Sequence, residues 1–385
     1  MVKGATLASQ FSPEELAALQ DPRPHGFNPT DDPYLKYSIQ NFIDLLGCAQ
    51  DRYAAVRENY LGLHPGAPVL SYDQVKRRLR NLSGIVTWEH DMCVNSHVAF
   101  TGPLANLEHC PDPDCKEPRY NQKKLEQSGG LLKVPRKVFT TFPVGPQLQA
   151  RRKSPETAEK MSYRWRKTQE LLQERNGSGG LAKVYDDILS GEAYLDAVED
   201  GSIGEHDTVL MLSIDGAQLY QNKQSDCWIY IWIILDLGPD ERYKIRNILP
   251  GGIIPGPNAP RNIESFLFPG LSHLSALQKE GLHVWDAYHQ KVIISLIFLL
   301  LVLADAVGMA NISSSVGHHG RKGCRLLCGF VGHNKDKGSH YYPALQRPFG
   351  FETHRTSSHP DVNINSLPNP DSMQYRQELF DIITS

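Results

Sequence analysis

A chain of 385 residues with 40 Lys+Arg against 43 Asp+Glu, formally −3, is long enough for two or three domains. Its charge is too balanced for bulk attraction to nucleic acid, so such contacts would have to come from local basic patches. The seven cysteines (Cys48, Cys93, Cys110, Cys115, Cys227, Cys324 and Cys328) are odd in number and clustered, and no apolar leader is expected at the start. Reduced thiols or metal ligands are therefore favoured over a disulfide framework.

Residues 1–33, rich in Pro, Asp and Ala, predict a loose arm with a short helix near 13–19. Across 34–87, Ile39, Phe42, Ile43, Leu46, Ala49, Tyr53 and Val56 recur at helical spacing, and Ser71 is placed to cap a helix over 72–82. That helix carries Lys76, Arg77, Arg78 and Arg80, a run that suits phosphate or a solvated face equally. The periodicity stops over 88–132, where Cys93-x3-His97 and Cys110-x4-Cys115 supply four ligands in two close pairs. Such a set closes a tetrahedral zinc site; the alternative is a group of unliganded buried cysteines. Within 133–207, residues 133–153 predict an extended linker bearing Arg136, Lys137, Arg151, Arg152 and Lys153. A long helix is expected over 155–175 and a shorter one over 181–200, after a glycine-rich break.

The run TVLMLSIDG at 208–216 predicts a strand buried on both faces, with Asp215 where it leaves the core and Gly216 at a sharp turn. A carboxylate so placed can hold a metal or simply end a strand. Further strands are expected over 227–237 and 243–249, the latter closing at Pro250-Gly251-Gly252. A loop at 256–260 precedes a helix over 263–279, capped by Asn262 and ended by Gly281. These elements make an α/β sheet domain, which continues into an extended piece at 283–285. The apolar run 292–304 would reach roughly 20 Å as a helix, against about 30 Å of bilayer hydrocarbon. A buried element ending at Asp305, and no membrane partner, is the expectation. Beyond it, Cys324-x3-Cys328 with His333 offers three ligands of a second zinc site. Residues 351–385 read as a tail with a short helix at 372–383.

Several segments together resemble one family, the CACTA-type (En/Spm-like) DNA transposases, notably their fungal branch. They are LMLSIDGAQLY (210–220), CWIYIWIILDL (227–237), IIPGPNAPRNIESFLFPGL (253–271), GLHVWDAY (281–288), ADAVGMANISSSVGHHGRKGCRLLCG (304–329), HYYPAL (340–345) and LPNPDSMQYRQELF (367–380). Upstream, HDMCVNSHVAF and CPDPDCKEPRY resemble the family's cysteine-rich segment, with His97 where relatives tend to carry Cys. The resemblance implies an RNase H-like mixed sheet with flanking helices over 208–350, preceded by a helical and Cys-rich region. It also implies an Asp, Asp, Glu triad binding Mg²⁺ or Mn²⁺ for cleavage and strand transfer of transposon DNA ends, in the nucleus.

By motif, Asp215 takes the first position and Asp305 the second, although Asp305-Ala-Val-Gly308 lacks the proline of the family's Asp-x-Pro-Ala-x-Gly. The third acid falls downstream of the LPNPDS segment, and the chain is expected to be truncated before it. Zn²⁺ is expected as a structural ion. The expected DNA contacts are Arg77, Arg78, Arg80, Arg151, Arg152 and Lys153, with homo-oligomerisation left open. Two alternatives stand beside the enzyme: a catalytically inactive transposon-derived fragment that binds DNA or zinc, and a zinc-bearing protein-interaction module.

Overall fold

A computed structural model describes residues 2–22, 32–177, 184–218, 226–313, 319–321, 332–334, 338–342 and 363–366. Its helices are α1 (Pro13–Gln20), α2 (Pro33–Asp44), α3 (Gln50–Leu63), α4 (Tyr72–Ser83), α5 (Gln122–Gln127), α6 (Val144–Arg152), α7 (Pro155–Lys160), α8 (Tyr163–Gly177), α9 (Glu192–Glu199), α10 (Pro239–Arg242), α11 (Ile263–Glu280) and α12 (Ala306–Ser313). The main strands are β1 (Trp88–Asp91), β2 (Val138–Thr141), β3 (Thr208–Gln218), β4 (Asp226–Ile234), β5 (Leu249–Pro255), β6 (Leu282–Asp286), β7 (Lys291–Ser295) and β8 (Ile297–Ala304).

Six strands form a mixed sheet in the order β1-β2-β5-β4-β3-β8, and β6 and β7 make a separate hairpin. The strand β3 lies inside the sheet, between β4 and the edge strand β8, and its apolar run is covered on both faces. Leu210, Leu212 and Ile214 join Tyr230, Trp232 and Ile234 against α6 and α11. Val209 and Met211 join Ile233 and Leu235 against Leu171 of α8 and Tyr194 and Leu195 of α9. The result is a sheet between two helical layers. On the α8 side, Arg164 is fully buried. Its Nε donates to Asp236 Oδ1 at 2.9 Å and its Nη2 to the carbonyl of Asp207 at 2.7 Å, pinning the entry to β3.

The expected α/β domain is present, and it reaches beyond 208–304, because β1 and β2 extend its sheet. The helix capped by Ser71 forms as α4, with a capping box to Gln74. The helix capped by Asn262 forms as α11 and stops at Gly281, whose φ is 77°. No described helix is long and apolar enough to cross a membrane.

Several expectations are corrected. The N-terminal stretch 2–22 is not loose: Leu7, Phe11 and Leu19 are buried in the main core. The linker expected at 133–153 is instead β2 and α6, whose prolines fall at the helix start (Pro143 caps it, Pro146 lies in its first turn), where a missing N–H costs no hydrogen bond. The 155–175 helix is broken after Lys160, where Met161 turns into the core and the Arg164 amide bonds to Asp236 O. The helix expected over 181–200 is reduced to α9, preceded by a turn in which Asp187 binds the buried Arg242 guanidinium.

The 243–249 strand does not form. Residues 243–246 are a solvent-facing turn in which Lys244 and Arg246 pair with Glu241, whereas Asn247 is buried and Leu249 opens β5. The strand β5 begins later and includes Gly251 and Gly252, because the Tyr230 ring lies against them: a Cβ at either would sit 2.3 Å from that ring. Gly216 likewise stays in β3, opposite Trp228, and makes no turn. The 292–304 run splits into two strands at Leu296, whose N–H is held by Asp207 Oδ1 at 2.9 Å. The expected 372–383 helix lies outside the described residues.

Candidate active site and metal centre

Because β3 and β8 run parallel, their C-terminal ends meet. Ile214 is opposite Ala304, so the next positions are Asp215 and Asp305. Neighbouring strands lie about 4.8 Å apart, which brings the two carboxylates to adjacent sites on one edge. Their alignment depends on an irregularity. Leu210 pairs with Leu299 but Met211 with Leu301, so one extra residue is absorbed in β8. A regular ladder would set Ala304 beside Asp215 and turn Asp305 to the opposite face.

Both carboxylates are exposed. Asp215 Oδ1 accepts the Gly216 N–H at 2.7 Å, and Asp305 Oδ1 accepts the Gly308 N–H at 2.6 Å as α12 begins. Gly308 fits closely there, since a Cβ would stand 2.9 Å from that of Ala304 and 3.1 Å from Asp305 Oδ1. The remaining carboxylate oxygens suit a hard divalent cation. Among the described residues no third acid joins them.

The second constellation lies in the connection from β1 to β2. The ligand atoms of Cys93, His97, Cys110 and Cys115 all fall within 4.8 Å of one another. Cys93 Sγ is 3.5 Å from Cys115 Sγ, and Cys110 Sγ is 3.9 Å from His97 Nδ1. A tetrahedron with metal–sulfur bonds of about 2.3 Å has edges of about 3.8 Å, so the set is close to the size of a zinc site. Asn95 supports two of the sulfurs: its backbone amide donates to Cys93 Sγ at 3.4 Å and its side-chain amide to Cys115 Sγ at 3.4 Å. Such amides steady a thiolate that ligates a metal.

Burial pushes the Cys110 thiol up to about 12, with its neighbouring thiols adding to the rise. Asp112 Oδ2 lies 3.7 Å from His97 Nδ1 and is held by Arg261 at 2.8 Å. Lys137, which the sequence placed in a linker, is an internal strut. Its ammonium donates to Gly256 O at 2.8 Å, Ser96 Oγ at 3.0 Å and Val94 O at 3.3 Å. Burial lowers its pKa while the charge of a Cys93 thiolate acts to raise it. A mixed polar loop gave no sequence signal for these supports.

Of the expected DNA contacts, Arg80 of α4 and Lys153 at the end of α6 line one cavity. Arg77, Arg78 and Arg80 are exposed on α4. Arg151 and Lys153 are partly buried at the end of α6, and burial lowers both pKa values. Arg152 is corrected: it is buried against Asp286 at 3.2 Å, locking α6 to the β6–β7 hairpin, and is withdrawn from solvent. Of the second cysteine cluster, His333 lies in a two-residue strand, β9 (His333–Asn334), paired with β10 (Tyr341–Tyr342). Cys324 and Cys328 lie outside the described residues.

Residues 202–335 match the family model described as "Transposase family tnp2". The match spans β3 to β8 and so contains both Asp215 and Asp305, while the Cys93–Cys115 cluster precedes it. It supports a transposase family for this segment. No curated protein matches the chain.

Proposed function

We propose that the protein is a transposase-like protein of the CACTA (En/Spm-like) type, fungal branch, in which Asp215 and Asp305 hold Mg²⁺ or Mn²⁺ for cleavage and strand transfer of transposon DNA ends. The observation that carries this is the juxtaposition of the two acids by the β3–β8 register, inside the segment matched by the transposase model. The strand order supports an RNase H-like core: an antiparallel β5-β4-β3 unit, then α11, then β8 parallel to β3. When bound, the divalent ions would activate an attacking hydroxyl and stabilise the leaving oxygen at phosphorus. The chain's own contribution is to fix both carboxylates at one end of the sheet, with one oxygen of each held by a local amide; the pair would hold the cation.

Cys93, His97, Cys110 and Cys115 would take Zn²⁺ as a structural ion, and the site of action would be nuclear. A second function is favoured by one observation: no third acid stands near the pair among the described residues. Two carboxylates hold one ion adequately and a second poorly, so this chain would bind DNA and nick it weakly. The test is salt-dependent binding of duplex DNA by the full chain, together with Mn²⁺-dependent nicking. Binding with faint nicking is expected. Absence of duplex binding at low salt overturns the proposal, and robust nicking abolished by Asp215→Ala identifies a third acid elsewhere in the chain.

A further inference from the structure

The connection 92–137 leaves the sheet from the C-terminal end of β1 and returns at the N-terminal end of β2. Through the antiparallel and parallel pairings, this is the same end of the sheet that carries Asp215 and Asp305. At the level of the sheet, four strand steps separate β1 from β3, roughly 19 Å at about 4.8 Å each. That is roughly six base-pair steps of a duplex.

Within this connection, residues 120–135 form a closed loop. Tyr120 bridges to Pro135, and the Asn121 amide bonds to Val134 O at 2.8 Å. The helix α5 rises from an Asn121 cap and ends at Gly129 and Gly130, with φ of 62° and 87°. The tip is fixed by its own hydrogen bonds: Gly130 N–H to Leu125 O at 2.8 Å, and Leu132 N–H to Ser128 Oγ at 2.8 Å. This rigid tip presents Leu131 at 89% exposure and Leu132 at 54%. Lys123 and Lys124 are exposed on α5 beside it, with Glu126 the one acid on that helix, while Lys133 is paired with Glu108 at 2.6 Å.

We propose that Leu131 and Leu132 form an apolar wedge that enters the stack of duplex DNA bound across this end of the sheet, with Lys123 and Lys124 on the adjacent phosphates. It rests on the DNA-binding function proposed above. Leucine is among the side chains that unstack a base step when held on a rigid element. A second protein is the poorer occupant, because two side chains fall far short of the roughly 800 Å² per partner that a stable interface buries.

The test uses the full chain and mixed-sequence duplexes carrying 2-aminopurine at successive positions. Wild-type protein should raise the fluorescence at a restricted set of positions. L131A/L132A should abolish that rise while weakening binding less than about threefold, and L131M/L132M should restore it. K123A/K124A should reduce the magnitude of the salt slope of binding by about 1.8. An undiminished rise in L131A/L132A overturns the wedge, as does a wild-type dimer that this variant dissociates. Failure of wild-type protein to bind any duplex removes the DNA-binding function itself, whereas binding without unstacking removes the wedge alone.

Discussion

Replacing Cys110 by Ser removes one corner of a site whose four ligand atoms lie within 4.8 Å of one another. The local core contains, besides the cysteines, Val98, Phe100 and Leu104. Burial of such side chains contributes about 1.5–3 kcal/mol each. Met92 and Ala99 of the connection 92–137 are buried in the main core, so the remainder, over 102–137, rests on those three side chains and the metal. A structural zinc supplies about 10–16 kcal/mol, comparable with the whole stability of an ordinary domain. Losing it should therefore open the connection and do more than trim a melting temperature. The strands β3 and β8 should stay folded, because their residues belong to other core clusters.

The assay is zinc stoichiometry together with hydrogen exchange. Wild-type protein should carry about one zinc per chain. In Cys110→Ser, or after chelation, amides over 102–137 should exchange freely while those of β3 and β8 stay protected. One zinc per chain in the variant, or unchanged protection over 102–137 after chelation, would refute the reasoning.

Other consequences are more local. Arg164→Met leaves Asp236 buried without its partner and should cost about 3–5 kcal/mol in urea unfolding; a loss below about 1 kcal/mol would show the network to be incidental. His273 is wholly buried, accepting the Gly145 N–H at 3.1 Å, and burial lowers its pKa to about 3 from the usual 6.5. The unfolded chain then binds the extra proton, so the stability His273 contributes is complete above pH 6.5 and is lost as pH falls towards 3. A His273→Gln variant should flatten that part of a stability–pH curve, and an unchanged slope would contradict the assignment. Gly252→Ala should destabilise by about 1–3 kcal/mol in thermal or urea unfolding, because its Cβ would stand 2.3 Å from the buried Tyr230 ring; a neutral change would show that the ring repacks freely.

What was legible in the sequence was local and periodic. The apolar run of β3, the Ser71 and Asn262 caps and the Cys/His spacing each encode their outcome within a few residues, and each appears where expected. Tertiary contacts decided the rest. Gly251 and Gly252 resemble a turn until the Tyr230 ring is placed against them, and the 292–304 run is divided by a hydrogen bond that the Leu296 N–H donates to the distant Asp207. The N-terminal stretch looked loose because its few apolar residues, Leu7, Phe11 and Leu19, are stabilised by a surface formed elsewhere in the chain. Asp215 and Asp305 were both named from sequence, but the irregular β8 register that aligns them has no signature in the residues themselves.

The central claim is that Asp215 and Asp305 form one divalent-cation site. Manganese binding to the full chain, followed by electron paramagnetic resonance in the presence of saturating zinc, tests it most directly. The structure predicts one manganese site that is lost in Asp215→Asn and equally in Asp305→Asn, with the melting curve preserved in both. Unchanged binding in either variant would show that the two carboxylates, though adjacent in register, do not share an ion.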